Sequence, residues 1–142
     1  MSFQPIHKPY ILRGTLSLLI LTICTLFSLT DIRAEQLTVH FIDIGQGDSA
    51  LIQSPSGKVI LIDSGPSKSW RALKSYLTEL KVQTIDLMIN THPHSDHIGN
   101  ASKVIDQFTV KAVLDSGFTH PIRAYRNLLE SVKDKKVPLR LG

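Results

Sequence analysis

The stretch Thr91-His92-Pro93-His94-Ser95-Asp96-His97-Ile98-Gly99, here termed the histidine loop, decides the fold. Three histidines and an aspartate fall within six positions. The loop lies between the apolar run Ile85 to Ile89, which predicts a buried strand, and a helix predicted to start near Ile98. Imidazole and carboxylate groups are the ligands that zinc and similar divalent ions take in catalytic sites. The loop therefore predicts a metal site where a strand passes into a helix.

The spacing within the loop predicts two neighbouring metal ions. His92 and His94 are two positions apart in an extended segment, so both side chains can point to the same side and bind one ion. Asp96 and His97 lie past the bend and would face a second ion. Two ions about 3.5 to 4 Å apart can hold both the attacking and the leaving oxygen of a hydrolysed ester. The alternative is a histidine-rich capping loop in which Asp96 accepts helix amide bonds.

The rest of the chain predicts strands first in a meander and then strands alternating with helices. A serine at position 69 can cap the first helix, and Thr119 or His120 can cap a third helix that opens at Pro121. This order is typical of an α/β layered domain. The predicted strands are Leu37 to Ile44, Ala50 to Gln53, Val59 to Ile62, Ile85 to Ile89, Val110 to Leu114 and Val137 to Leu141.

Residues 1–34 are predicted to be a signal peptide. A basic start precedes an apolar run from Leu16 to Leu29, which is shorter than the roughly 20 residues of a membrane-spanning helix. Cleavage after Ala34 would give a secreted or periplasmic protein that has no membrane segment. The alternative is an uncleaved segment that anchors the protein. The only cysteine, Cys24, lies in this run, so the mature part can have neither a disulfide nor a cysteine-zinc scaffold.

Residues 35–142 have the length of one small domain, which excludes repeat arrays, multi-pass membrane proteins and large multidomain enzymes. This part carries 13 basic and 11 acidic residues. Such a small net charge predicts no tight binding of nucleic acid.

A glycine turn, Gly45-Gln46-Gly47-Asp48, follows the first predicted strand. Gly45-x-Gly47-x-x-Ala50 imitates a dinucleotide-binding fingerprint. That fingerprint needs a following crossover helix, and the few residues before the Ser54-Pro55-Ser56-Gly57 turn leave no room for one. The glycines instead predict a tight turn close to the histidine loop, with Asp48 shaping the rim of the site; an ordinary turn is the alternative.

The pattern His92-x-His94-x-Asp96-His97 is similar to the signature of the metallo-β-lactamase fold superfamily. The segments from His40 to Ala50 and from Ile60 to Gly65 resemble the opening of its competence-protein branch, a DNA-internalisation family. The resemblance implies an αββα sandwich with two divalent metal ions, usually zinc. It also implies a hydrolase, of the phosphodiesterase or nuclease kind, acting on a small-molecule or nucleic-acid phosphodiester.

The resemblance also implies roles for single residues. His92 and His94 would bind the first metal, and Asp96 and His97 the second. Asp96 would in addition act catalytically by managing the proton and the water. Asp63 resembles a carboxylate that orients a histidine ligand through its far ring nitrogen. The alternative for Asp63 is a turn aspartate that bonds local amides.

The family's remaining ligands are a bridging aspartate after a glycine and a final histidine before a glycine, and neither follows the histidine loop here. His120 is the only later histidine, and its place before Pro121 predicts a helix cap rather than a ligand. We therefore expect only the N-terminal half of the sandwich. The alternatives to a hydrolase are a non-catalytic metal-binding fragment or pseudoenzyme, and an accessory protein of DNA uptake.

Overall fold

The computed structural model describes residues 36–142. The predictions of a signal peptide and of a membrane anchor concern residues 1–34 and lie outside the described part. The described residues belong to one compact unit. Within the described range, no helix combines the length and the apolar character needed to cross a membrane.

Residues 36–142 form a six-stranded mixed sheet and a separate two-stranded ribbon. The large sheet has the order β1-β2-β3-β5-β7-β8; its first three strands are antiparallel, and the strands from β3 to β8 are parallel. Strands β4 and β6 pair in parallel to make the ribbon. The strands are β1 Thr38–Phe41, β2 Ala50–Gln53, β3 Val59–Ile62, β4 Thr84–Ile85, β5 Leu87–Asn90, β6 Thr109–Val110, β7 Val113–Asp115 and β8 Leu139–Leu141.

Four α-helices in the described residues follow the strand meander, and a 3₁₀ turn at Ser67–Ser69 leads into the first. The predicted cap, Ser69, precedes the first helix, but its hydroxyl accepts no hydrogen bond from a helix amide and instead donates to the carbonyl of Pro66. The helix predicted near Ile98 is two short helices. The helices are α1 Trp70–Glu79, α2 Ser95–Ile98, α3 Ala101–Gln107 and α4 Arg123–Asp134.

Two predicted strands are each divided between the sheet and the ribbon. Ile85 to Ile89 separates at Asp86 into β4 and β5, and Val110 to Leu114 separates into β6 and β7. Asp86 accepts hydrogen bonds from the Lys111 ammonium (2.7 Å) and from the Val59 amide (3.0 Å) at these breaks. These bonds, with a further one from Lys58, hold the pKa of Asp86 well below its usual range. Both strand breaks therefore lie at polar contacts of Asp86, which hydrophobic patterning cannot predict.

One face of the sheet is packed under the helices. Leu51, Leu61, Met88 and Val113 lie in register across four strands and are fully buried. They share one apolar core with buried residues of α1, α3 and α4. Because alternate residues of a strand face opposite sides, this row fixes which side chains meet the helices.

The opposite face is apolar and only partly covered by the described residues. It begins at β1 with Val39 and Phe41, which are 46% and 86% exposed. It continues through half-buried Ile52, Ile60 and Ile89 on the neighbouring strands. One helix layer on one sheet corresponds to the expected N-terminal half of the αββα sandwich.

Candidate functional site

The histidine loop begins at the carboxyl end of β5, directly after Asn90, and runs into α2. Pro93 is buried, whereas His92 is half-buried and His94 is exposed. The carbonyl of His94 accepts the amides of His97 (3.1 Å) and Ile98 (3.0 Å), so the first helical turn closes on the residue that precedes it. A strand end followed by a tight helical turn is what turns these side chains towards one another.

The loop brings its three imidazole rings together. The ring centroids of His92 and His97 lie 3.8 Å apart, and those of His92 and His94 lie 4.6 Å apart. Asp96 is half-buried in the first turn of α2. The donor types therefore suit zinc. In residues 36–142, however, no three His, Cys, Asp or Glu side chains are arranged to hold an ion. The described part thus provides fitting ligand types without a closed ligand set.

Asp63 binds the histidine loop from the end of β3. Asp63 is 2% exposed, and its carboxylate accepts hydrogen bonds from the Thr91 amide (2.9 Å), the Thr91 hydroxyl (2.6 Å) and Nδ1 of His97 (2.8 Å). Because a carboxylate only accepts, Nδ1 of His97 carries a proton, and in the neutral ring this leaves the lone pair on Nε2. Asp63 has a φ of 55°, a left-handed conformation that aspartate tolerates better than most residues.

The Thr91 hydroxyl connects the Asp63 carboxylate to a second histidine, His92. This role of Thr91 was not predicted from the sequence. The Thr91 hydroxyl donates to Asp63 and lies 3.1 Å from Nδ1 of His92, from which it accepts a hydrogen bond. Nε2 of His92 is thereby also left with its lone pair. The only sequence signal is the position of a hydroxyl residue directly before the first histidine.

The glycine turn lies against the histidine loop. Gly47 has a φ of 126°, and a Cβ atom at this residue would collide with the carbonyl oxygen of Asp96. That carbonyl accepts the Asp48 amide (3.3 Å). The Asp48 carboxylate is largely exposed, and its Oδ2 atom lies 3.6 Å from Nε2 of His97. Of the three predicted rim residues, Gly45, Gly47 and Asp48, the last two lie against the histidine loop.

His120 is placed differently from the helix-cap prediction. Helix α4 begins at Arg123, two residues after Pro121, and no side chain caps it. The predicted helix start at Pro121 and the predicted caps Thr119 and His120 are therefore wrong. The His120 ring instead lies edge-on to the His94 ring, with centroids 5.7 Å apart. The loop after β7 thus brings a fourth histidine to the cluster.

Unpaired buried polar atoms gather at the same edge of the sheet. Among the described residues, the buried side-chain atoms that lack a hydrogen-bond partner belong to Asn90, Ser116 and His120, which end or follow β5 and β7. Beside them, burial and the Asp115 carboxylate raise the pKa of Tyr125. Buried polar groups are normally paired, so unpaired ones at one edge mark a place where water or a ligand is expected.

The mixed sheet, the helices on one face and the ligand-rich loop at a strand's carboxyl end define a metallohydrolase-like α/β domain. The chain belongs to the metallo-beta-lactamase superfamily, whose family model matches residues 42–136, more than half of the chain. That range contains the glycine turn, Asp63 and the whole histidine loop.

Three curated proteins show the similarity. ComE operon protein 3 of Bacillus subtilis (strain 168) is 35% identical over 98 residues, covering 56% of this chain and 13% of that protein. UPF0173 metal-dependent hydrolase THEYE_A0282 of Thermodesulfovibrio yellowstonii is 40% identical over 65 residues, covering 44% and 23%. Endoribonuclease YSH1 of Mycosarcoma maydis is 30% identical over 101 residues, covering 67% and 12%. The matches span less than a quarter of each relative.

The fold is also seen in a solved metallo-beta-lactamase from Cronobacter sakazakii, a HARLDQ motif mutant. It is 25% identical, has a TM-score of 0.50, and the match covers 56% of this chain and 31% of that one. The predicted resemblance to the superfamily and to competence proteins is therefore confirmed, as is the predicted fold class.

Proposed function

We propose that the chain takes part in metal-dependent hydrolysis of phosphodiester bonds. One observation carries the proposal: the buried Asp63 carboxylate holds His97 directly and His92 through the Thr91 hydroxyl. Fixing Nδ1 of both rings leaves both Nε2 atoms available in the histidine loop, and a carboxylate in this position raises ligand basicity. Relatives named a metal-dependent hydrolase and an endoribonuclease support both the reaction class and a phosphodiester substrate.

We propose two divalent ions, zinc by preference, with His92 and His94 binding one ion and Asp96 and His97 the other. Such ions would supply Lewis-acid activation of the substrate and of the attacking water. Since the described residues do not form a closed ligand set, we assign no reaction step to the ions. The imidazole and carboxylate donors of the loop are the chemistry that supports the proposal.

The protein residues have separate roles in the proposed reaction. Asp63 keeps His97 in the tautomer whose Nε2 is free to bind. Asp96, half-buried at the start of α2, is the proposed proton acceptor for the attacking water. Asp48 and the glycines Gly45 and Gly47 form the rim, and the exposed Asp48 carboxylate would disfavour anions that approach from its side.

The proposed location is extracytoplasmic, secreted or periplasmic, with an anchored form as the alternative. It rests on the basic and apolar pattern of residues 1–34. The substrate class, a small-molecule or nucleic-acid phosphodiester, rests on the relatives.

A second function is favoured by one observation: no three candidate ligands in residues 36–142 are arranged to hold an ion. On this account the chain binds metal weakly and has no turnover of its own.

Hydrolysis of bis(p-nitrophenyl) phosphate by the full chain tests the first function. We expect turnover with added zinc or manganese, loss of turnover with a chelator, and loss in His94→Ala. His40→Ala is the matched control, because His40 lies outside the cluster and bonds Tyr76 and Gln53. Turnover that survives both the chelator and His94→Ala would reject the proposal. Histidine-dependent zinc binding without turnover would establish the second function instead.

A further inference from the structure

A small cleft with two cationic lining residues lies beside the end of the histidine loop at Gly99. It is formed where the 3₁₀ turn, the end of α2, the start of α3 and the start of α4 meet, and it has a volume of about 260 Å³. Two of its lining residues are cations and none is a carboxylate. The lining residues are Ser67, Gly99, Ser102, Lys103, Arg123, Ala124 and Asn127.

The Lys103 ammonium is fixed in the wall of this cleft by neutral groups. It donates to the Ser67 carbonyl (3.2 Å) and to Oδ1 of Asn100 (3.1 Å), and it lies 5.7 Å from the centroid of the Trp70 ring. Asn100 is fully buried and donates to the Ser64 carbonyl (3.0 Å), so it is itself immobile. In residues 36–142, Lys103 has no carboxylate within ion-pair distance.

Arg123 provides a second cation at the other side of the cleft. It is the first residue of α4, is exposed, and makes no ion pair with any described residue. Ser102 and Asn127 add a hydroxyl and an amide to the lining of the same cleft. A guanidinium fork, an ammonium and neutral donors around a small cavity match the oxygens of a phosphate group.

We propose that this cleft binds a phosphate group, at a position separate from the metal ligands. The cleft wall is continuous with the backbone of the histidine loop: the Ser67 hydroxyl donates to the Gly99 carbonyl (2.8 Å), two residues beyond His97. The bound group is either a free phosphate or a phosphate of a polynucleotide strand. In the second case the cleft holds a phosphate that is not hydrolysed while another lies at the histidines.

Titration of the full chain with two probes, inorganic phosphate and a short single-stranded oligonucleotide, tests the proposal. The protein is kept in chelator, so that phosphate binding to metal does not contribute. The paired substitution Lys103→Gln with Arg123→Gln is compared with Lys133→Gln with Arg126→Gln, which removes the same charge from exposed positions of α4. We expect the first pair to weaken binding at least about tenfold and the second to change it less than about twofold.

The two probes distinguish the source of the phosphate. Oligonucleotide binding at least about tenfold tighter than inorganic phosphate indicates a strand, and the reverse order indicates free phosphate. Because Lys103 also contacts Asn100, Arg123→Gln alone decides the matter if the paired variant unfolds. No binding of either probe, unchanged binding in the cleft variants, or an equal loss in the control pair would overturn the proposal. His94→Ala should leave this binding intact, so the outcome is independent of the proposed hydrolysis.

Discussion

Replacing Gly47 by alanine tests whether the glycine turn supports the histidine loop. Gly47 has a φ of 126° and approaches the Asp96 carbonyl so closely that a Cβ atom would collide with it. The alanine must therefore adopt an unfavourable backbone conformation, and the turn must move away from the loop. Gly45→Ala is the matched control, since Gly45 also has a positive φ (77°) but no atom within 4 Å of an added Cβ.

The expected magnitude follows from these contacts. A rare backbone conformation costs about 1–3 kcal/mol, and loss of the hydrogen bond from the Asp48 amide to the Asp96 carbonyl costs about 1 kcal/mol. Alanine also lowers the entropy of the unfolded chain, which offsets about 0.4–1 kcal/mol. We expect Gly47→Ala to reduce the free energy of unfolding by about 2–3 kcal/mol and Gly45→Ala by about 1 kcal/mol.

Urea unfolding followed by far-UV circular dichroism gives both free energies, and competition with a chromophoric chelator gives the zinc affinity. Gly47→Ala should weaken zinc binding, because the carbonyl that it displaces belongs to Asp96. Gly45→Ala should not. Equal losses of stability in the two variants, or an unchanged zinc affinity in Gly47→Ala, would refute the close approach as the reason for glycine at position 47.

Three further predictions concern the hydrogen bond between Asp63 and a proposed metal ligand, the ion pairs of Asp86, and the N-terminal segment. Asp63→Asn should lower zinc affinity about 10- to 100-fold, whereas exposed Asp106→Asn should not; equal affinities would contradict the role of Asp63. Because the pKa of Asp86 is low in the folded state, its stabilisation is present above about pH 4 and is lost as the pH falls further. As the pH is lowered from about 7 to 2.5, the urea midpoint of Asp86→Asn should therefore fall less steeply than that of the unsubstituted protein. Identical slopes for the two proteins would refute this. Mass spectrometry of protein from export-competent cells should find Glu35 at the N-terminus, and an intact Met1 would support the anchored form.

The strand meander was predictable from sequence because its signals are local. Strands β2 and β3 have the predicted bounds, Ala50 to Gln53 and Val59 to Ile62, since the Ser54-Pro55-Ser56-Gly57 turn separates two apolar runs. Strand β1, Thr38–Phe41, is shorter than the predicted Leu37 to Ile44. The two divided strands were not predictable, because the breaks lie at a contact between Asp86 and Lys111, which are 25 residues apart in the sequence. Hydrophobic patterning shows that a segment is buried but not which sheet it joins.

For the candidate site, the sequence indicates which residue types are available but not how they are hydrogen-bonded to one another. The histidine loop and Asp63 are recognisable from residue types and spacing, but the hydroxyl relay from Asp63 through Thr91 to His92 depends on the fold. Local sequence rules predict a helix cap at His120, whereas its contact with His94 depends on how β7 lies beside β5. The proposed phosphate-binding cleft with Lys103 and Arg123 could not be predicted either, because the net charge of a chain does not show where its individual cations lie in the fold.

Asp63 makes two of the proposed ligands dependent on one side chain. A substitution there perturbs His97 and His92 together, and its effect would not equal the sum of separate changes at the two histidines. Mutational paths to a new ligand set are therefore constrained. A substitution at either histidine removes one of the interactions that Asp63 supports, and a substitution at Asp63 removes the support of both histidines at once. Evolution of this loop would have to proceed through coupled, epistatic steps rather than one independent residue at a time.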